Sequence, residues 1–316
     1  MFVQVIKMKL APLRILMFYF FLNFPLVGLP QVPTSDYQYN VNVADSLFKM
    51  EKFAEASSYY SKAFQSFGWK GATPHRLMAA KSWAASGGID SAFSNLFNIA
   101  EKAYYSDLLS LESESLFSNL KKDTRWQKLV DVVRKNLERK QELDSVKQIL
   151  LKMLKEDQDV RMQLSETLSK IGANSKQYRQ NSKSLKRVNE KHIKKLAGIL
   201  KKYGWLSTMD IGSEANIALS TLIAHAAPQT REKYLPIIEK AFLEKKIQPQ
   251  SYIIIKDKHS LWKTGYQIYG SQIGVDDKGG HFVLPIRDKE NVNTRRAQVG
   301  LRPLEDYLKE FKITTY

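Results

Sequence analysis

Asp45-Ser-Leu-Phe-Lys-Met-Glu-Lys-Phe53-Ala-Glu-Ala56-Ser-Ser-Tyr-Tyr60-Ser-Lys-Ala63 decides the fold class. Its small and apolar residues recur at three- and four-residue steps, which on a helix puts Ala56, Tyr60 and Ala63 on one face, a ring between two alanines. Small residues at that spacing let a second, antiparallel helix approach closely. The pattern returns 36 residues later as Ala92, Leu96 and Ile99, and Ala44 and Ala80 repeat at the same shift in the preceding segments. A fixed offset of this size marks stacked helical pairs. Residues 36–136 are therefore expected to be helical throughout.

The small, large, small second helix resembles that of tetratricopeptide repeats, over roughly two degenerate units, with Gly68 where a late proline is usual. The resemblance implies either a concave groove for a protein or peptide partner or a packed adaptor that supports the second half. Repeat arrays generally present an extended surface only with three or more units, which favours the adaptor. Residues 108–120 form a short element, and Asp123-Thr-Arg-Trp126 with Leu129, Val132 and Val133 starts a closing helix. Residues 137–172 are expected as a bridging helix, with Leu143, Val146, Leu150, Met153 and Leu154 apolar and a later set around Val160 and Leu164.

At the N-terminus, Lys7, Lys9 and Arg14 precede the apolar run from Ile15 to Leu22, followed by Asn23, Pro25 and Gly28. This charge, oil and small-residue order predicts a signal peptide over residues 1–30 and an exported protein, periplasmic or secreted. An apolar core of about ten residues is short for a bilayer span, which needs roughly 20. Retention as an N-terminal membrane anchor is the other outcome, and Met8 is a second candidate start. The chain contains no cysteine, which removes disulfides, thiol chemistry and a lipidated cysteine. Its net charge is +17, and residues 183–202 hold eight basic side chains against Glu190 alone. In an exported protein such a stripe points to an anionic envelope surface rather than to nucleic acid.

The second half is expected as an α domain over residues 173–316 with one small β-hairpin. Gly172 to Ser175 breaks the helix before the basic segment. That segment is itself a helix, with Leu185, Val188, His192, Leu196, Ile199 and Tyr203 on one face and Gly204 as its stop. Ser207 and Asp210 form a helix start, and Ala215, Ala218, Leu219, Leu222, Ile223 and Ala226 give the next helix its apolar side. Residues 266–273 and 281–286 are β-rich around the turn Asp276-Asp-Lys-Gly-Gly280. Helix returns at the end of the chain.

From about residue 150 to 307 the chain resembles the bacterial domain-of-unknown-function family numbered 6624. The marks are Asp157-Gln158-x-x-Arg161, Asn189, Tyr203-Gly204-Trp205, Ile211-Gly212, His225-Ala226, Tyr234-Leu-Pro236, Asp257, Gln267-x-Tyr269-Gly270-Ser271-Gln272, and Asn293-x-Arg295-Arg296 with Val299-Gly300-Leu301 and Pro303. Lys258 stands where the family tends to have arginine, Ser271 replaces threonine, and Lys245-Lys246 replaces a Gly-Glu pair. The resemblance implies a domain and a site, with no activity attached.

Polar residues in this half can build a pocket. His225 is the candidate catalytic base, with Asp257 to orient it and Arg295 or Arg296 to hold an anion in a planar fork. Gln267, Tyr269 and Gln272 join Asp257 and the two arginines as candidate ligand-binding residues. The bland reading of the same set is a buried network that serves the backbone. No cofactor is expected. His225, His259, His281, Asp257, Asp276 and Asp277 are of metal-ligand type but lack the spacing of a metal helix, so no metal is expected either. There is no G-x-S-x-G turn and no phosphate loop. Three functions stay open: an exported interaction or ligand-binding protein with a polar C-terminal pocket, a hydrolase-like enzyme with His225 as base, and a basic envelope-associated scaffold.

Overall fold

A computed structural model describes residues 34–276, 279–314 and 316, so the signal peptide, its cleavage and the start codon lie outside the described residues. Twelve α-helices and one two-stranded antiparallel sheet are seen among them, so the fold is mainly α with a single small hairpin. None of these helices is long and apolar enough to cross a membrane. The described residues divide into two compact units, one ending at Leu143 and one starting at Asp144.

The first unit begins with α1 (Ser35–Lys49), α2 (Phe53–Ser66), α3 (Thr73–Ala85) and α4 (Ile89–Lys102). Thr34 caps α1 by accepting the Tyr37 N–H at 3.1 Å, and Pro74 sits in the first turn of α3, where its missing N–H costs nothing. Ala44, Ala56, Tyr60 and Ala63 are all buried, as are Ala80, Ala92, Leu96 and Ile99 in the second pair. The Tyr60 hydroxyl donates to Asp45, so the ring buried between two alanines keeps a polar partner at its tip. Burying a side chain such as Leu96 contributes about 2 kcal/mol. After α5 (Leu108–Ser113), Phe117 and Leu120 close this core together with Leu129 and Val133.

Those last two belong to α6 (Arg125–Ile171), which begins at the expected closing helix and does not stop. The closing and bridging helices are one, because no Gly or Pro interrupts residues 125–171. The Asp123 carboxylate starts it by accepting the Arg125 N–H at 2.9 Å. Further along, Leu143, Val146, Leu150 and Met153 are buried at steps of three and four.

In the second unit, α7 (Lys176–Tyr203) is capped by Ser175, and Gly204 at φ +66° ends it in a conformation L side chains avoid. α8 (Thr208–Ala224) carries the predicted capping box, with Ser207 and Asp210 each bonding the other's backbone N–H. α9 (Pro228–Leu243) and α10 (Pro249–Thr264) follow, both opened by proline. The hairpin pairs β1 (Ile273–Val275) with β2 (His281–Val283), Gly274 opposite Phe282. The β segments expected at 266–273 and 281–286 are met in part: β2 and Ile273 fall within them and Gln267 forms a parallel β-bridge with Ile286, while residues 268–272 form a bonded loop. α11 (Val292–Gln298) and α12 (Leu304–Leu308) complete the unit around Val292, Leu304, Tyr307 and Leu308.

Replacing Ser207 by Ala removes one half of the box at the head of α8 and is expected to cost about 1 kcal/mol in urea unfolding. Unchanged stability would mean that the box does not hold this helix end.

Candidate functional site

The predicted site residues separate into two clusters. The first is the loop at residues 265–272. Asp257, fully buried on α10, accepts the N–H groups of Ile268 at 2.7 Å, Tyr269 at 2.8 Å and Ser271 at 2.9 Å. Burial pushes its carboxyl above the ordinary range, and the N–H donors pull it back. Arg295 donates to the carbonyl of Ile268 at 2.9 Å and to those of Arg287 and Asp288. Arg296, also fully buried, donates to the carbonyls of Tyr269 and Arg302, both at 2.8 Å, and lies over the Tyr307 ring. Gln267 works like a missing strand: its side chain donates to the carbonyls of Gln272 and Leu284 and accepts the Gln272 N–H. The Gln272 amide donates to Ser271. Tyr269 packs beside Tyr252, 6.5 Å between ring centres. Gly270 sits at φ +79°, where an added Cβ would come within 2.8 Å of Leu304.

The six candidate ligand-binding residues Asp257, Gln267, Tyr269, Gln272, Arg295 and Arg296 are thus gathered in one place, with most of their polar atoms taken up by the protein's own backbone. Loops bury poorly because each N–H and C=O needs a partner. Here side chains provide most of those partners between residues 268 and 272, and backbone bonds at Gln267 and Gln272 tie the ends of the loop to residues 284–287.

The second cluster is built on His225, at the C-terminus of α8. Its acid is Asp157 of α6 rather than Asp257, whose two oxygens are occupied by the loop. His225 Nδ1 lies 2.5 Å from Asp157 Oδ2, with side-chain exposures of 1% and 0%. Arg161, one turn on, donates Nε to both oxygens of Asp157 at 3.0 and 2.9 Å and reaches Asn189 of α7 at 3.4 Å. Arg231 of α9 donates to the carbonyls of Ala224 and Ala226, closing the end of α8 on either side of His225. His225 Nε2 is buried with no partner.

The electrostatics follow from this geometry. Burial opposes ionisation of Asp157, but the bonds from His225 and Arg161 outweigh it and hold the carboxyl below the usual range. Burial pushes the His225 imidazolium down to about 3, aided by Lys258 and Arg161 and opposed by Asp157. At neutral pH the pair is therefore a carboxylate accepting from a neutral imidazole, with the lone pair left on Nε2.

Asp157, Arg161 and Lys258 are the residues that candidate-site reasoning passed over. A signal was present: Asp157 follows Leu143, Val146, Leu150 and Met153 at the next step of the buried stripe, so an acid stands where an apolar side chain is due. One open groove, of about 330 Å³, lies on the neighbouring face of α6, lined by Lys152, Lys155, Glu156, Asp159, Val160 and Lys191, and no residue of the Asp157 cluster lines it. Of the candidate metal ligands, Asp277 is outside the described residues, and no three of the others converge.

His225 gives a testable sign. Its unfolded pKa is about 6.5 and its folded value about 3, so the unfolded chain binds the extra proton throughout that window. Stability present above pH 6.5 is lost as pH falls toward 3, by up to about 1.4 kcal/mol per pH unit. Urea unfolding of wild type and His225→Gln between pH 6.5 and 4.5 should show the steeper loss in wild type. Equal slopes would contradict the burial of a neutral imidazole.

The model of a family of unknown function, DUF6624, matches residues 144–314. No curated protein and no solved structure matches the chain.

Proposed function

The chain belongs to the DUF6624 family, of unknown function, and since membership supplies no reaction, we propose from the geometry that its C-terminal domain binds a small anionic ligand and moves a proton on it through His225. The observation that carries this reading is the buried Asp157–His225 bond with Nε2 left unpartnered. A carboxylate on Nδ1 fixes the tautomer and leaves Nε2 as a proton acceptor. Burial keeps that nitrogen unprotonated at neutral pH, and an anion bound beside it would raise its basicity from about 3 toward the range a general base needs.

The anion follows from the charge count. Arg161 and Lys258 both act on one carboxylate, with Arg231 close to Lys258, and a partly buried surplus of cations is lowered in energy by an anion. The Arg161 side chain keeps 24% exposure, so its guanidinium marks the side from which a ligand arrives. In this reading Arg161 is the anchor, and His225 Nε2, sealed in the free protein, deprotonates water or a ligand hydroxyl once ligand binding opens the site, a hydrolase-like role. Asp257, Gln267, Tyr269, Gln272, Arg295 and Arg296 then act by holding the loop.

Two measurements on the full chain test this. Inorganic phosphate should bind to wild type and about tenfold more weakly to Arg161→Gln; equal binding, or none to wild type, removes the anchor. Hydrolysis of p-nitrophenyl acetate and p-nitrophenyl phosphate should fall by roughly 10²-fold or more in His225→Gln. Hydrolysis at an equal rate by both proteins removes the base.

A specific observation also supports the scaffold reading. All eight basic residues between Lys183 and Lys202 are exposed on α7, most with no acid beside them. Such a face suits an anionic envelope surface, as expected of an exported protein with an N-terminal signal. The paired helices α1 to α4 fit a degenerate tetratricopeptide-like adaptor for a protein partner. Changing Lys186, Arg187, Lys194 and Lys195 to Glu should abolish co-sedimentation with vesicles rich in anionic lipid at low salt. Retained binding would exclude α7 as the contact.

A further inference from the structure

The open groove beside α6 takes no part in the Asp157 cluster, yet charged side chains make up nearly all of its lining. Lys152, Lys155, Glu156, Asp159 and Val160 reach it from α6 and Lys191 from α7, around about 330 Å³. On α6 these positions recur at steps of three and four, so the helix turns all of them to one side. Glu156 is fixed there. Its carboxylate accepts the Lys191 ammonium at 2.9 and 3.2 Å and the Nε2–H of His192, itself 1% exposed, at 3.0 Å. Lys191 first, then His192, hold the Glu156 carboxyl below its ordinary range.

Lys152, Lys155 and Asp159 stand differently. All three are exposed, and among the described residues none of their side chains joins a hydrogen bond or an ion pair. With Glu156 and Lys191 taken as a pair, the free charges are two ammoniums about 4.5 Å apart along the helix axis and one carboxylate about 6 Å beyond them. The groove therefore has a cationic end, with Lys191 facing it from α7, and an acidic end. An ammonium is a compact point charge with three rotatable donors and imposes no planar fork. Three lysines around one space suit a tetrahedral oxyanion, whose separate oxygens each can reach. The volume lies at the small end of ligand sites and leaves room for a small group beside the oxyanion, against Val160. Asp159 repels a second anionic group at the far end.

We propose that this groove is a second anion site, which binds a small phosphate monoester through Lys152, Lys155 and Lys191. It goes beyond the reading of His225 and stands apart from it, because no residue of the Asp157 cluster lines the groove. Glu156 acts as a positioning residue that fixes the Lys191 ammonium at the groove wall, with His192 holding Glu156 in turn. The same phosphate chemistry is offered by a free ester and by the head group of a phosphomonoester lipid.

Calorimetric titration of the full chain with glycerol 3-phosphate at low salt tests this. Wild type is expected to bind, and the double variant Lys152→Ala, Lys155→Ala to bind about tenfold more weakly. The double variant Lys183→Ala, Lys201→Ala removes the same charge from exposed positions of α7 eight and ten residues from Lys191, and is expected to bind as wild type does. All four positions are exposed, so neither pair disturbs the core. No binding to wild type overturns the proposal. Equal weakening by the two double variants also does, since it reports bulk charge rather than a site. Arg161→Gln keeps the two anion sites apart: unchanged affinity supports the groove whether or not His225 acts, whereas loss there with none in the Lys152, Lys155 pair assigns the phosphate to the Asp157 cluster and overturns the groove. Once the groove is established, displacement of the ester by phosphatidic acid in phosphatidylcholine vesicles identifies a lipid head group as the source, and retention of the ester identifies a free one.

Discussion

A carboxylate shut away from water has to be matched from within the protein, and the second unit is organised around meeting that requirement for Asp157. Leaving a buried acid unpaired costs several kcal/mol. Asp157 is matched by the imidazole of His225 and the guanidinium of Arg161. The first comes from the end of α8 and the second from one turn further along α6. Arg161 in turn reaches Asn189 on α7, and Arg231 ties the end of α8 to α9 and α10. The buried charge thus links α6 to α8 directly and to α7 through Arg161, and Arg231 joins the same end of α8 to α9 and α10.

The same demand explains the state of each partner. Charge is cheaper on Asp157 than on His225 because two donors converge on the acid, whereas the imidazole gains no acceptor on its outer nitrogen. The imidazole is thus neutral and its Nε2 lone pair unused. A purely structural network would be expected to fill that position. An unfilled acceptor close to Arg161 and Lys258 sets this cluster apart from the loop cluster, whose sealed unpartnered atom, Arg296 Nη2, is a donor.

In the loop at residues 265–272 the opposite holds. Asp257 collects three N–H groups, Arg295 and Arg296 collect carbonyls, and Gln267 bonds at both ends of its amide. Nearly every polar atom has a partner inside the chain. The loop is a rigid piece of the fold that fixes the position of α10, and through α10 it fixes Lys258. Gly270 permits the chain to pass against Leu304, where no larger residue would fit.

Much of this was legible before any coordinates, where the physics is local. Helical periodicity, the small and large alternation of Ala56, Tyr60 and Ala63, the box at Ser207 and the stop at Gly204 depend on residues a few positions apart, so the sequence by itself determined the mainly α class and the element ends. It also showed which polar residues were unusual. It did not show that residues 125–171 form one helix, because separate closing and bridging helices have the same periodicity. Nor did it assign partners. Asp257 and Asp157 are equally plausible acids for His225 on paper, and only the packing of α6 against α8 decides, since it buries one beside the imidazole and turns the other into the loop. Pairing across 68 residues is set by tertiary contact, and no spacing rule carries it.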